Sequence, residues 1–152
     1  MSLENILKSN KMYELGMVHM LTFRKINDFY QTSLKQHGLT PVEWFMLGAI
    51  QDATPNGGIR VTDLAISFNV KTTYVTSTLN NLRTKKFVNT RFDPSDARVR
   101  LAILTSSGAK RLSEIELFMR KEIAQSFDGR LSADEFSQFM KTMYKLGHAP
   151  QK

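Results

Sequence analysis

The sequence predicts a mainly α fold with a small β-hairpin wing (α+β): a winged helix-turn-helix flanked by N- and C-terminal dimerisation helices. Three observations predict it. The net charge of +7 is confined to the middle of the chain. Residues 64–79 carry the small, turn and apolar residues that two closely crossing helices need. Two strand-like runs follow, joined by the turn-rich Asp93-Pro94-Ser95-Asp96-Ala97-Arg98.

The bulk numbers set the frame. The chain has 152 residues, is 41% hydrophobic and 23% charged, and can bury the core of one ordinary domain. No apolar run reaches the ~18–20 residues needed to cross a bilayer. Met1-Ser2-Leu3-Glu4 lacks the basic flank and apolar core of a secretory signal. Cysteine is absent, which removes disulfides and thiolate metal sites and suits a cytoplasmic protein. Residues 60–111 hold ten basic side chains (Arg60, Lys71, Arg83, Lys85, Lys86, Arg91, Arg98, Arg100, Lys110, Arg111) against Asp63, Asp93 and Asp96. The flanks on either side are neutral in sum, so the whole +7 lies in this segment. Charge segregated in this way points to a polyanion.

Taken in order, residues 3–37 read as one long helix with apolar spacings of three and four, interrupted near Gly16 and ended by Gly38. Thr40-Pro41-Val42-Glu43 is a capping box with proline in the first turn, and opens a second helix that Pro55-Asn56-Gly57-Gly58 stops. Residues 59–61 read as a short strand, 62–68 as a short helix and 72–86 as a longer one. Residues 87–92 and 99–104 alternate as a half-buried hairpin. Thr105 caps a helix running to about Phe127, Gly129 breaks it, and Ser132 with Glu135 opens a last helix carrying Phe136, Phe139, Met140, Met143 and Tyr144. The organisation is a single intertwined domain: residues 1–38 an N-terminal dimerisation helix, 39–111 the DNA-binding lobe, and 112–152 the C-terminal dimerisation helices.

In the middle lobe, Ala65 allows the helices to cross and Asn69 tolerates the positive φ of the turn. Leu64, Phe68, Val70, Val75 and Leu79 lock the pair together. With Val75, Leu79 and Leu82 facing inward, the second helix presents Thr72, Thr73, Thr76, Ser77 and Asn80, with Tyr74 at the edge. Short neutral side chains of this kind fit a major groove about 12 Å wide and can bond or touch base edges. Arg98, supported by Asp96, is placed to enter the adjacent minor groove. Lys71, Arg83, Lys85, Lys86, Arg91 and Arg100 are expected on phosphates.

The terminal helices hold more large apolar residues than the lobe can absorb, from Leu112 and Ile115 to Met143 and Tyr144, which calls for a two-fold homodimer. His19, Phe23 and Trp44, with Met20 and Met46, read either as the lining of an apolar effector cavity or as plain core. No cofactor is expected. His19, His37 and His148 are scattered, with no metal spacing, phosphate loop or nucleophile motif, so an enzyme is disfavoured. His37 is expected to be a favourable cation at a helix C-terminus. The alternative to a DNA reader is a winged-helix protein-interaction module without specific DNA binding.

The chain resembles the MarR family of regulators. The matching residues run from Leu39-Thr40-Pro41-Val42-Glu43-Trp44-Phe45-Met46-Leu47 through Val61-Thr62-Asp63-Leu64-Ala65 and Lys86-Phe87-Val88. They continue to Asp93-Pro94-Ser95-Asp96-Ala97-Arg98 and Leu104-Thr105-Ser106-Ser107-Gly108. The resemblance implies a triangular homodimer reading double-stranded DNA at a pseudo-palindromic operator, and a repressor released by a small aromatic or lipophilic ligand. It places base reading on residues 72–80 and minor-groove contact on Arg98. Two departures stand out: Ala97 occupies a place where a second wing arginine is frequent, and without cysteine there is no thiol switch.

Overall fold

The computed structural model describes residues 12–127 and 129–147. The expected helical positions Leu3, Ile6 and Leu7, the N-terminal Met1-Ser2-Leu3-Glu4, and His148 lie outside them. The elements run in the predicted order: α1 (Met12–Lys35), α2 (Pro41–Ala53), β1 (Ile59–Arg60), α3 (Val61–Ser67), α4 (Thr72–Thr84), β2 (Val88–Asp93), β3 (Asp96–Leu104), α5 (Ser106–Phe127) and α6 (Ala133–Gly147). They group into two compact units, Met1–Ile115 and Glu116–Lys152. None of the described helices is long and apolar enough to cross a membrane.

In the first unit, helix ends follow from local chemistry. Gly38 (φ 69°) closes α1: its N–H donates to Lys35 O at 3.0 Å, and Leu39 N–H reaches Leu34 O at 3.3 Å. Thr40 and Glu43 then cap α2 reciprocally: Glu43 N–H donates to Thr40 Oγ1 at 3.2 Å, and Thr40 N–H to Glu43 Oε2 at 2.8 Å. Such a cap is worth about 1 kcal/mol. The expected interruption at Gly16 is corrected, because α1 passes through it without a break. A helix tolerates one glycine at a cost of about 1 kcal/mol relative to alanine.

The core of this unit is Leu34 of α1, Met46, Leu47 and Ile50 of α2, Leu64 of α3, Val75 and Leu82 of α4, Val88 of β2, and Leu112 and Ile115 of α5, none of them more than 2% exposed. Burying each such side chain contributes roughly 1.5–3 kcal/mol. The sheet is antiparallel in the order β1-β3-β2, so β3 is central. The expected alternation does not hold there: Ala102, expected on the open face, is fully buried beside Leu101, at the point where β1 pairs alongside as Ile59↔Ala102. Thr54 ties the sheet to α2 by donating to Ile50 O at 2.6 Å and accepting Leu104 N–H at 3.1 Å. A Cβ on Gly108 would overlap the Phe87 carbonyl, so only glycine lets the first turn of α5 lie on the chain leaving α4.

The second unit begins within α5. Gly129 (φ 68°) turns the chain. Ser132 and Glu135 form the predicted capping box at 2.8 and 3.3 Å. Those bonds hold the Glu135 carboxyl below its ordinary range. Phe127 and Phe136 pack with ring centroids 5.2 Å apart, while Met140, Met143, Tyr144 and Leu146 are exposed.

Candidate nucleic-acid interface

The turn between α3 and α4 forms as the sequence predicts. Asn69 takes φ 50°, its N–H bonds Ile66 O at 3.0 Å, and Val70 N–H bonds Ala65 O at 3.0 Å. The two bonds end α3 and start α4 within a few residues. Val75, Leu79 and Leu82 are buried, and Thr72, Thr73, Tyr74, Thr76, Ser77 and Asn80 are all exposed. Thr76 Oγ1 donates to Thr72 O at 2.9 Å, and Thr84 Oγ1 to Asn80 O at 3.0 Å. A threonine bonded back to its own helix has its proton occupied, and offers outward an acceptor and a methyl group. The face is thus acceptor- and methyl-bearing at Thr76, with Thr73 and Ser77 beside it.

At its far end α4 closes on a left-handed backbone position that sequence reasoning missed. Lys86 takes φ 63°, its N–H bonds Arg83 O at 2.9 Å, and Phe87 N–H bonds Leu82 O at 3.0 Å. The strained position is held because Lys86 O accepts Thr105 Oγ1 at 2.7 Å and Ser107 Oγ at 2.8 Å. Thr105 Oγ1 also accepts Gly108 N–H at 2.9 Å, so one hydroxyl caps α5 and clasps the end of α4.

The wing is tighter than expected. Only Pro94 and Ser95 lie between the strands, and Arg98 belongs to β3 rather than to the turn. The two aspartates shape it. Asp93 Oδ1 accepts Ser95 N–H at 2.8 Å and Ser95 Oγ at 2.6 Å. Asp96 Oδ1 accepts Arg98 N–H at 2.9 Å and Nε at 3.1 Å. The Ser95 hydroxyl and amide hold Asp93 below the usual carboxylate range, and the Arg98 side chain and amide do the same for Asp96. Arg98 remains 92% exposed and is aimed, not buried.

Between α4 and the wing lies a cleft of about 310 Å³, lined among others by Thr72, Thr76, Asn80, Arg83, Arg98 and Arg100. Three guanidinium groups line it and no carboxylate does.

Other expected contacts turn out differently. Lys85, expected on a phosphate, is engaged within the chain: its Nζ bonds Glu43 Oε1 at 2.7 Å and Gly38 O at 2.8 Å, and the glutamate is 4% exposed. A buried carboxylate needs that cation, so Lys85 braces the end of α4. Arg91 is exposed, but its Nη2 holds Gly57 O at 2.9 Å, leaving it only partly available. Lys71, Arg83, Lys86 and Arg100 are exposed. His37 is not a favoured cation, because burial, then the Arg111 charge, lowers its pKa. His19 and Phe23 lie exposed on α1. Trp44 is half-buried, with ring centroids 5.8 Å from Tyr30 and 5.2 Å from Phe45.

The fold can now be compared with known structures. A MarR-family transcriptional regulator from Rhodococcus sp. RHA1 superposes with a TM-score of 0.82 over 95% of this chain and 100% of that one, at 13% identity. The chain has the MarR-family fold. A cysteine-to-serine mutant of MarR from E. coli, solved with operator DNA, superposes with a TM-score of 0.78 over 93% of this chain and 97% of that one, at 23% identity. In sequence, the HTH-type transcriptional repressor MdtR of Bacillus subtilis (strain 168) is 27% identical over 129 residues, which is 85% of this chain and 81% of MdtR. No protein-family model matches the chain. Among the described residues no group of three or more His, Asp or Glu side chains could hold a metal ion.

Proposed function

We propose that the chain is a MarR-family transcriptional regulator that binds double-stranded DNA sequence-specifically. One observation carries the reading: the exposed, neutral Thr/Ser/Asn face of α4 stands beside a carboxylate-free cleft lined by three arginines, inside the segment that holds the whole net charge. Short neutral side chains suit base edges, and guanidinium groups suit the phosphates flanking them. Thr72, Thr73, Tyr74, Thr76, Ser77 and Asn80 are the base readers. Arg98, aimed by Asp96, is the minor-groove residue. Lys71, Arg83, Lys86, Arg100 and in part Arg91 take phosphates.

The regulator works in the cytoplasm as a homodimer on a pseudo-palindromic operator. Met12, Tyr13, Leu15, Met17, Val18, Met20, Leu21 and Phe23 are exposed in the single chain. Spaced at helical intervals they ring α1, and a helix apolar all round belongs in an interior. A second copy supplies it.

The regulator is a repressor, and a small aromatic or lipophilic effector releases it. A cleft of about 660 Å³, within the usual size of ligand pockets, is lined by residues that include Gln31, Lys35, Thr40, Asn81 and Lys85. It joins the end of α1 to the end of α4. Among the described residues the indole N–H of Trp44 is buried without a partner, which supports Trp44 as an effector donor. Trp44 belongs to α2 and His19 and Phe23 to α1; none of the three lines that cleft, and they are offered as effector contacts on the aromatic character of their rings.

Selection of duplexes from a random pool tests the function. The expected result is enrichment of two inverted half-sites about one helical turn apart, with affinity falling steeply in salt. A pool that stays random in low salt overturns the reading in favour of an interaction module. A panel of benzoates and phenols, read by fluorescence of the single tryptophan and by release from the selected duplex, tests the effector.

A further inference from the structure

We infer that Phe92, a residue with no role in base or phosphate contact, is the positioning residue for Arg100, and that the pair makes the wing's main phosphate anchor. The inference rests on the DNA-binding reading above. Phe92 and Arg100 face one another across the hairpin. The Arg100 guanidinium carbon lies 5.3 Å from the Phe92 ring centroid, within cation–π range. Phe92 is 57% exposed, a large apolar surface that the wing's own fold does not use.

The two wing arginines are held by opposite means. Arg98 is bound edge-on by Asp96, with Nε at 3.1 Å from Oδ1 and Nη2 at 3.4 Å from Oδ2. That carboxylate takes one edge of the guanidinium, Nε and Nη2, while the side chain stays 92% exposed. Arg100 is held over the Phe92 ring instead. An aromatic ring offers no carboxylate oxygen, so it leaves the guanidinium its charge and its N–H donors for a ligand. Arg100 lines the same carboxylate-free cleft as Arg83, Thr72 and Thr76. The ligand chemistry that fits is a single phosphodiester of the strand running between α4 and the wing, with Arg83 on one side and Arg100 on the other.

Binding of a fluorescent duplex of about 30 base pairs, long enough for two half-sites, tests this by anisotropy on Phe92→Leu, Phe92→Tyr, Arg100→Ala and the Phe92→Leu/Arg100→Ala double variant, each checked for an unchanged melting temperature. Phe92→Leu keeps the apolar bulk and loses the ring, so affinity falls roughly two- to fivefold per wing. Phe92→Tyr keeps the wild-type affinity. Arg100→Ala lowers the slope of log affinity against log salt by about 0.9 per wing. Once Arg100 is gone, Phe92→Leu costs nothing more. If Phe92→Leu binds as wild type, if Phe92→Tyr falls with it, or if the two losses simply multiply, the pairing is overturned while DNA binding stands. A wild-type protein that binds no duplex overturns the regulator reading, and this inference with it.

Discussion

Helices α4 and α1 meet water in opposite ways. On α4 the apolar residues Val75, Leu79 and Leu82 are all turned inward, and what remains outside is Tyr74, the cation Arg83 and otherwise neutral polar side chains. On the first half of α1 the outside is apolar, from Met12 to Phe23, and burial begins only near its end at Ser33 and Leu34. The α4 helix is thus complete within one chain, and its exposed face is free to be chosen for another purpose. The exposed half of α1 is incomplete, because the apolar area it shows to water is a cost that only a second surface removes. The lesson is that one chain contains a finished helix-turn-helix beside an unfinished first helix.

The contrast can be broken most forcefully on α1. Val18→Asp with Leu21→Asp, both exposed in the single chain, should give a monomer by light scattering and cut operator affinity at least about 100-fold, since one half-site contact is lost. Far-UV circular dichroism of the winged lobe should barely change; a dimer with full affinity would show that α1 is not the support. Next comes Leu82→Ala in α4, which opens a cavity at a fully buried site. It should cost about 2–5 kcal/mol in denaturant unfolding, and a smaller loss would mean that α4 is packed less completely than its burial indicates. Arg98→Ala should reduce operator affinity roughly tenfold, about 1.4 kcal/mol, with no change in melting temperature, because its exposed pair with Asp96 contributes little to stability. The smallest effect is acid titration of the wing. The folded pKa values of Asp93 and Asp96 lie below those of the unfolded chain. Their contribution is therefore complete above the ordinary aspartate range and is lost only as pH falls through the lowered values. Amide shifts of Ser95 and Arg98 should move there, and a transition at or above the ordinary aspartate pKa would contradict the bonds described.

What could be read from the sequence is what is decided locally. The capping boxes at Thr40–Glu43 and Ser132–Glu135, the left-handed turn at Asn69 and the stops at Gly38 and Gly129 each involve residues within a few positions, and all form. The polar face of α4 was legible because the apolar spacing of Val75, Leu79 and Leu82 fixes its orientation. The site was less legible wherever long-range contacts decide. Lys85 looks like one more surface cation until the fold brings it to Glu43, 42 residues away. Arg91 meets Gly57 across 34 residues. Lys86 hides a left-handed backbone under a residue type that rarely adopts one, and its support comes from Thr105 and Ser107. Phe92 was hidden by the register shift between Phe92 and Asp93, which sets it opposite Arg100 rather than opposite Ala97, the partner a regular two-residue turn would give it.

The brace at Lys85 has a mechanical consequence. Its ammonium touches the carbonyl that ends α1 and the carboxylate that begins α2 while sitting at the last turn of α4. The tilt of α4 is thereby geared to the corner between the first two helices. Opening that corner would pull the ammonium from Gly38 or from Glu43, so the end of α4 is fastened at the point where the first two helices meet.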